Sequence, residues 1–172
     1  SSLTSFVGDP FVNFAIMALI VIGGIGFMTW DDIKTNGLKW KRYRMQSKVI
    51  LTTTALLILI PAAYFFFFEF SDAPLNERIW SSFFQSVTPR TAGFNTVDLT
   101  TISETGCMIM IALMLIGGSP GSTAGGMKTT TFAVMLSNAV SVFRRREHTH
   151  FFGRRISSDT LRNAATIFTM YV

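Results

Sequence analysis

The sequence has little cysteine, little histidine and, over long stretches, no charge at all. The single cysteine, Cys107, lies in an apolar run and excludes a disulfide within the chain. The two histidines, His148 and His150, fall in a basic stretch and read as solvated side chains rather than as a metal site. Paired carboxylates, a catalytic-triad spacing and a metal-ligand cluster are all missing, so nothing marks the chain as an enzyme or asks for an organic cofactor. Residues 11–30 and 49–68 are each twenty residues without Asp, Glu, Lys or Arg. At about 1.5 Å per helical residue each would reach roughly 30 Å, the thickness of a bilayer core. A soluble helix of that length would show a polar stripe, and neither does. The first run also lacks the basic leader and small-residue cleavage site of a signal peptide, so it reads as a span.

Charge placement orients these spans. Of fifteen Lys and Arg residues, six lie between the two runs (Lys34, Lys39, Lys41, Arg42, Arg44, Lys48) and six follow a third hydrophobic region (Arg144, Arg145, Arg146, Arg154, Arg155, Arg162). Loops rich in Lys and Arg stay cytoplasmic, so the stretches 33–48 and 144–155 are expected on the inner face of a cell membrane crossed several times. The segment 69–104 carries Glu69, Asp72, Glu77, Asp98 and Glu104 against Arg78 and Arg90, which suits the outer face. The formal charge of +5 is thereby explained by membrane orientation, without a nucleic acid partner. Pro61 and the threonines at 52–54 inside the second span predict a kink whose freed backbone groups are met by a neighbouring helix or hydroxyl. Gly23, Gly24 and Gly26 predict close helix contact. The chain begins without Met and ends at "IFTMYV", inside an apolar helix starting near Ala164, so it reads as a fragment.

Between the second and third hydrophobic regions lies "NERIWSSFFQSVTPRTAGFNTVDLTTISETG". Residues 77–87 predict an amphipathic helix capped by Asn76, too short to span, and Pro89 ends it. A short helix followed by a glycine-centred turn fits two descriptions. One is an ordinary outer loop with a surface helix. The other is a re-entrant pore loop, in which the helix aims the negative end of its dipole at the middle of the membrane, and Gly93 turns backbone carbonyls towards a cation. Trp80, Phe83 and Phe84, three large rings within five residues, favour insertion.

The third hydrophobic region, 105–143, would be nearly 60 Å long as one helix, about twice the hydrocarbon thickness, and must break. The break falls at "GGSPGSTAGGMKTTT", beginning at Gly117. Irregular backbone at membrane depth needs protein or a water-filled cavity beside it, which makes this segment a candidate gate with glycine hinges. Lys128 would repel a permeating cation, lock the loop through a carboxylate, or snorkel to the inner face. The likeness of "GSTAGGMKT" to a phosphate-binding loop fails, because Met127 displaces the lysine by one position and no strand precedes it.

With "SVTPRTAGFNTVDL" and "GGSPGSTAGGMKTTT" in this order, the chain resembles the Trk/Ktr/HKT superfamily of potassium transporters, most closely the Ktr-type membrane subunit. That resemblance implies an all-α membrane protein of helix, re-entrant pore loop, helix repeats of the potassium-channel-like type, with a broken transmembrane helix. It makes residues 1–32, with "GGIGF", the end of a second repeat. Residues 49–143 become a complete third repeat and 156–172 the start of a fourth. It further implies a selectivity filter at Thr91, Ala92, Gly93, Phe94 and Asn95, with K⁺ on the carbonyls of Thr91, Ala92 and Gly93. The gating loop would comprise Gly117, Gly118, Ser119, Pro120, Gly121, Ser122, Thr123, Ala124, Gly125, Gly126 and Lys128. The family implies K⁺ uptake, often with a role for Na⁺, by a homodimer that docks a cytosolic ring of nucleotide-binding regulatory subunits. "TAGFN" leaves the choice between K⁺ and Na⁺ open. A membrane scaffold without transport, its glycines serving helix packing, is the alternative from another class.

Overall fold

The computed structural model describes residues 4–6, 8–37, 39–90, 92–145, 150–151 and 154–171. Thr91 of the expected filter, and Arg146 and His148 of the second basic stretch, lie outside them. The described chain is helical except for one short ribbon. Helix α1 (Pro10–Ile25) begins on Asp9, whose Oδ1 accepts from the N–H groups of Phe11 and Val12 at 2.9 and 3.2 Å, with Pro10 at the first helical position.

The expected continuous helix over 11–30 is instead two helices. α1 ends at Gly26 (φ +89°), and α2 (Phe27–Asn36) leaves at 97°. A left-handed φ at this bend is open only to glycine at low cost, and the carbonyl of Pro120 lies 2.6 Å from where a Cβ would stand. α2 is tied to the start of α3 by Asp32, which is buried. It accepts from the Ser47 hydroxyl (2.5 Å) and the Arg44 N–H (3.1 Å), and it pairs with the Arg44 guanidinium at 3.4 Å.

Helix α3 (Met45–Tyr64) runs without a break into a wider π-helical turn, Phe65–Glu69. Together they form a 25-residue apolar helix long enough to cross a bilayer. Pro61 does not interrupt it. A proline leaves the carbonyl four residues earlier without its N–H, and that carbonyl is Leu57. The Ser86 hydroxyl lies 3.3 Å from the Leu57 oxygen and 2.6 Å from that of Ile58, so a neighbouring helix supplies the missing donor.

Helix α4 (Leu75–Val87) follows, and its start differs from the expected Asn76 cap. Pro74 precedes the first turn and accepts from Arg78 N–H, while the Asn76 side chain sits inside the helix and accepts from Trp80 Nε1 at 3.1 Å. The third hydrophobic region is broken as its length requires, into α5 (Glu104–Leu115) and α6 (Thr129–Phe143). α5 is fastened at its first turn by Glu69, whose carboxylate accepts both the N–H and the hydroxyl of Ser103, each at 2.6 Å. Ser103 in turn caps Gly106 N–H. Beneath this fastening Phe65, Ile102 and Met110 form a buried apolar cluster. α7 (Ser158–Tyr171) packs on α6. The second basic stretch, expected as a loop, contains an antiparallel ribbon of β1 (His150–Phe151) and β2 (Arg154–Arg155).

Much of the outer surface is apolar. Phe11, Phe14, Leu19, Ile60, Phe68 and Met108 are each more than 60 % exposed. In water that would be a liability, whereas lipid or neighbouring apolar helices remove it.

Candidate functional site

The site is built from the end of α4 outward. Along α4 the residues Ser81, Ser82, Phe84, Gln85, Ser86 and Val87 are buried, and so are Thr88 and Arg90 after it. The helix packs against α3, α1 and α5. Its second half is therefore largely packed into protein, while Leu75, Asn76, Ile79 and Phe83 stay exposed. Of the three rings that suggested insertion, Phe84 is fully buried, Trp80 half-buried and Phe83 37 % exposed.

The C-terminal carbonyls of α4 are capped only in part: Pro89 has no N–H to give Gln85 O, and among the described residues no hydrogen bond is made to Gln85 O or Ser86 O. Phe84 O accepts from Thr88 N–H, Val87 O from Arg90 N–H, and Thr88 O from both Ala92 and Gly93 N–H at 3.2 and 3.1 Å. The chain thus folds over the helix end, with Gly93 at φ +70°. The Thr88 hydroxyl then donates to Phe94 O at 2.6 Å and holds the returning strand. The turn adds free acceptors of its own: among the described residues no hydrogen bond is made to the carbonyls of Ala92 or Gly93. Gly93 and Phe94 are exposed, while Ala92 and Asn95 are half-buried. Beyond the turn Asp98 accepts from the backbone N–H and hydroxyl of Thr100, which hold its carboxyl below the usual range.

The second part is the loop between α5 and α6. Its two ends are pinned together by a parallel bridge between Ile116 and Met127. Gly117 N–H donates to Met127 O, Met127 N–H to Leu115 O, and Thr129 N–H to Gly118 O. At Gly117 the opposing strand is so close that an added Cβ would collide with the Gly125 carbonyl. The expected helix contact of Gly23, Gly24 and Gly26 is instead a seat for this loop. Ser119 N–H donates to Gly24 O at 2.9 Å, and Phe27 N–H donates back to Gly121 O at 3.2 Å. Buried Ser119 and Thr129 share a hydroxyl hydrogen bond.

Lys128 locks the loop, through a carbonyl rather than the expected carboxylate. Its Nζ donates to Ala124 O at 2.8 Å, locking the loop on its own backbone. Gly117, Gly118 and Ser119 are buried, whereas Gly121, Thr123 and Gly125 are exposed, so the loop has an anchored base and an open tip.

Arg90 joins the two parts, which spacing alone did not disclose. Its side chain lines a small cavity with Ile20, Val21, Gly24, Val87 and Gly118. Its place directly before the residues expected to form a filter, away from both basic clusters, was the available signal. Ser86 gave none.

The comparisons with known proteins give the family and the fold. The family model TrkH, described as a cation transport protein, matches residues 1–172. The chain belongs to that family. It is 36% identical over 172 residues to the Ktr system potassium uptake protein B of Bacillus subtilis, covering 96% of this chain and 38% of that protein. It is 37% identical over 172 residues to the potassium/sodium uptake protein NtpJ of Enterococcus hirae, covering 97% of this chain and 38% of the relative. The chain therefore spans well under half the length of these relatives. The crystal structure of the potassium transporter TrkH from Vibrio parahaemolyticus has a TM-score of 0.74 at 19% identity, over 92% of this chain and 36% of that one. The fold is therefore that of the family, an all-helical membrane architecture with a broken helix, and the family is one of transporters rather than enzymes.

Proposed function

We propose that this chain is part of a K⁺ uptake subunit of the cell membrane, in which the turn after α4 lines the ion path and the loop 117–128 gates it. The observation that carries the reading is the pair of carbonyls at Ala92 and Gly93, unengaged among the described residues, on a turn that follows a helix buried over its second half. Backbone carbonyls so placed can replace the water around an alkali cation, and a protein needs a ring of them from several repeats. Three further glycine-centred hairpins in the full-length protein would complete that ring, with 49–143 supplying one repeat. Thr91 is the third carbonyl of the proposed set. Na⁺ is a second candidate cargo, as the name of the Enterococcus relative suggests by analogy. A homodimer and a cytosolic nucleotide-binding ring are the assembly this reading carries with it.

The loop suits a gate because its fastenings are few and specific: backbone bonds at its base and one lysine across its middle. The test uses the full-length protein in a strain without its own K⁺ uptake systems. Gly93→Ala should reduce K⁺ uptake or its preference over Na⁺. Since open space surrounds the position of its Cβ, the effect would come from the left-handed backbone angle and the carbonyl it aims. Unchanged uptake of both ions would overturn the filter reading. Removal of 121–125 should raise flux, and equal flux would remove the gate.

A further inference from the structure

Arg90 has features that neither packing nor orientation in a membrane explains. It is only 6 % exposed, although guanidinium groups are seldom sealed from water without a partner. Among the described residues its Nε has no hydrogen-bond partner, and no ion pair includes it. An apolar side chain of similar length would fill the same space without desolvating a charge.

The position of the side chain matters as much as its charge. The cavity it lines is walled by Val87 from the end of α4, by Ile20, Val21 and Gly24 from α1, and by Gly118 from the base of the loop. Gly24 is also the residue whose carbonyl anchors Ser119, and Gly118 bonds both Gly125 and Thr129. Arg90 backbone N–H is bonded to Val87, two residues before Ala92. Arg90 thus sits at the root of the filter turn and borders the cavity beside which the loop is fastened.

We propose that Arg90 is a positioning residue that couples the loop to the filter turn, so that displacement of the loop changes the aim of the Ala92 and Gly93 carbonyls and with it the choice between K⁺ and Na⁺. This rests on the transport reading above. A buried cation suits such a role because it is expensive to move into a void, so it resists small shifts that an alkyl chain would absorb.

The test measures K⁺ and Na⁺ uptake by the full-length protein carrying Arg90→Met, Arg90→Lys, removal of 121–125, and Arg90→Met combined with that removal. Membrane protein amounts are measured alongside. Arg90→Met should shift the K⁺ to Na⁺ uptake ratio severalfold per molecule in the membrane, and Arg90→Lys should restore most of it. Removing the loop tip should shift the ratio in the native background and add nothing in the Arg90→Met background. A side chain that only supports folding would lower protein amount and leave the ratio alone, which overturns the proposal. Should Arg90→Met fail to accumulate, Val87→Ala carries the test, because it loosens the seat and keeps the charge. A ratio unaltered in Val87→Ala would then overturn the coupling. If Gly93→Ala shifts the ratio and the Arg90 variants do not, the coupling fails alone. If none shifts it, the filter reading fails as well.

Discussion

Adding one methyl group at Gly117 should loosen the loop far more than the same change at Gly125. The Cβ of Gly117→Ala would collide with the Gly125 carbonyl oxygen, and would stand 2.7 Å from its carbon and 3.0 Å from Gly126 Cα. All three atoms are backbone, so no side chain can rotate away. The opposing strand must shift, and the bonds lost are Gly117 N–H to Met127 O (2.9 Å), Gly118 N–H to Gly125 O (3.4 Å) and Met127 N–H to Leu115 O (3.2 Å). At about 0.5–1.5 kcal/mol net for each bond, the loss is about 2–4 kcal/mol. Overpacking measured in other cores, about 1–3 kcal/mol, falls in the same range and describes the same event, so the two are not summed. At Gly125 nothing lies within 4 Å of the added atom, and the expected change is within about 0.5 kcal/mol. Thermal unfolding of the full-length protein in detergent, followed with K⁺ flux in cells, reads both. Gly117→Ala should melt earlier and leak, while Gly125→Ala should match the native protein. Equal melting temperatures for the two variants would refute the close approach on which the pinned base depends.

Three other perturbations test the supports around the site. Ser86→Ala should destabilise by about 1–2 kcal/mol, because it strips the donor from Leu57 and Ile58. The penalty should shrink in a Pro61→Ala background, where residue 61 regains an N–H, and an identical penalty would sever the link to the proline. Ser103→Ala should lose about 1 kcal/mol from the start of α5. Combined with Glu69→Gln the losses should be less than additive in thermal melts, and full additivity would deny that the two groups act as one fastening. Lys128→Met should free Ala124 O and raise basal K⁺ flux, so a native flux would mean that the lysine does not restrain the loop.

The helices and the break in the third hydrophobic region were legible in the sequence, because both follow from length and from where charge is absent. Thirty-nine residues cannot cross once as a single helix, and the glycine cluster marks where they do not. The bend at Gly26 was not legible. The apolar run continues to Trp30, and the bend depends on Pro120 and Gly121, which lie almost a hundred positions away and meet the chain only in the folded state. The same distance hid the use of Gly24 as the loop's seat. Local rules also missed the start of α4, where Pro74 and Asn76 both fit a first turn and the Asn76 side chain pairs one turn on with Trp80 of the same helix. For the filter, the residue type and spacing of "TAGFN" located the turn. The partial capping of α4 by its own following residues, with Thr88 O taking the N–H groups of Ala92 and Gly93, required coordinates. Lys128 was conspicuous as a cation among small residues, but its acceptor is a backbone carbonyl, a partner that no side-chain pattern records.

The most direct test is to locate a heavy alkali-like ion in the full-length protein. Crystals grown with thallium or rubidium in place of K⁺ should show anomalous density within coordination reach of the Ala92 and Gly93 carbonyl oxygens, on an axis shared with other repeats. Ions bound only elsewhere, with this turn facing lipid or another closed surface, would contradict the account.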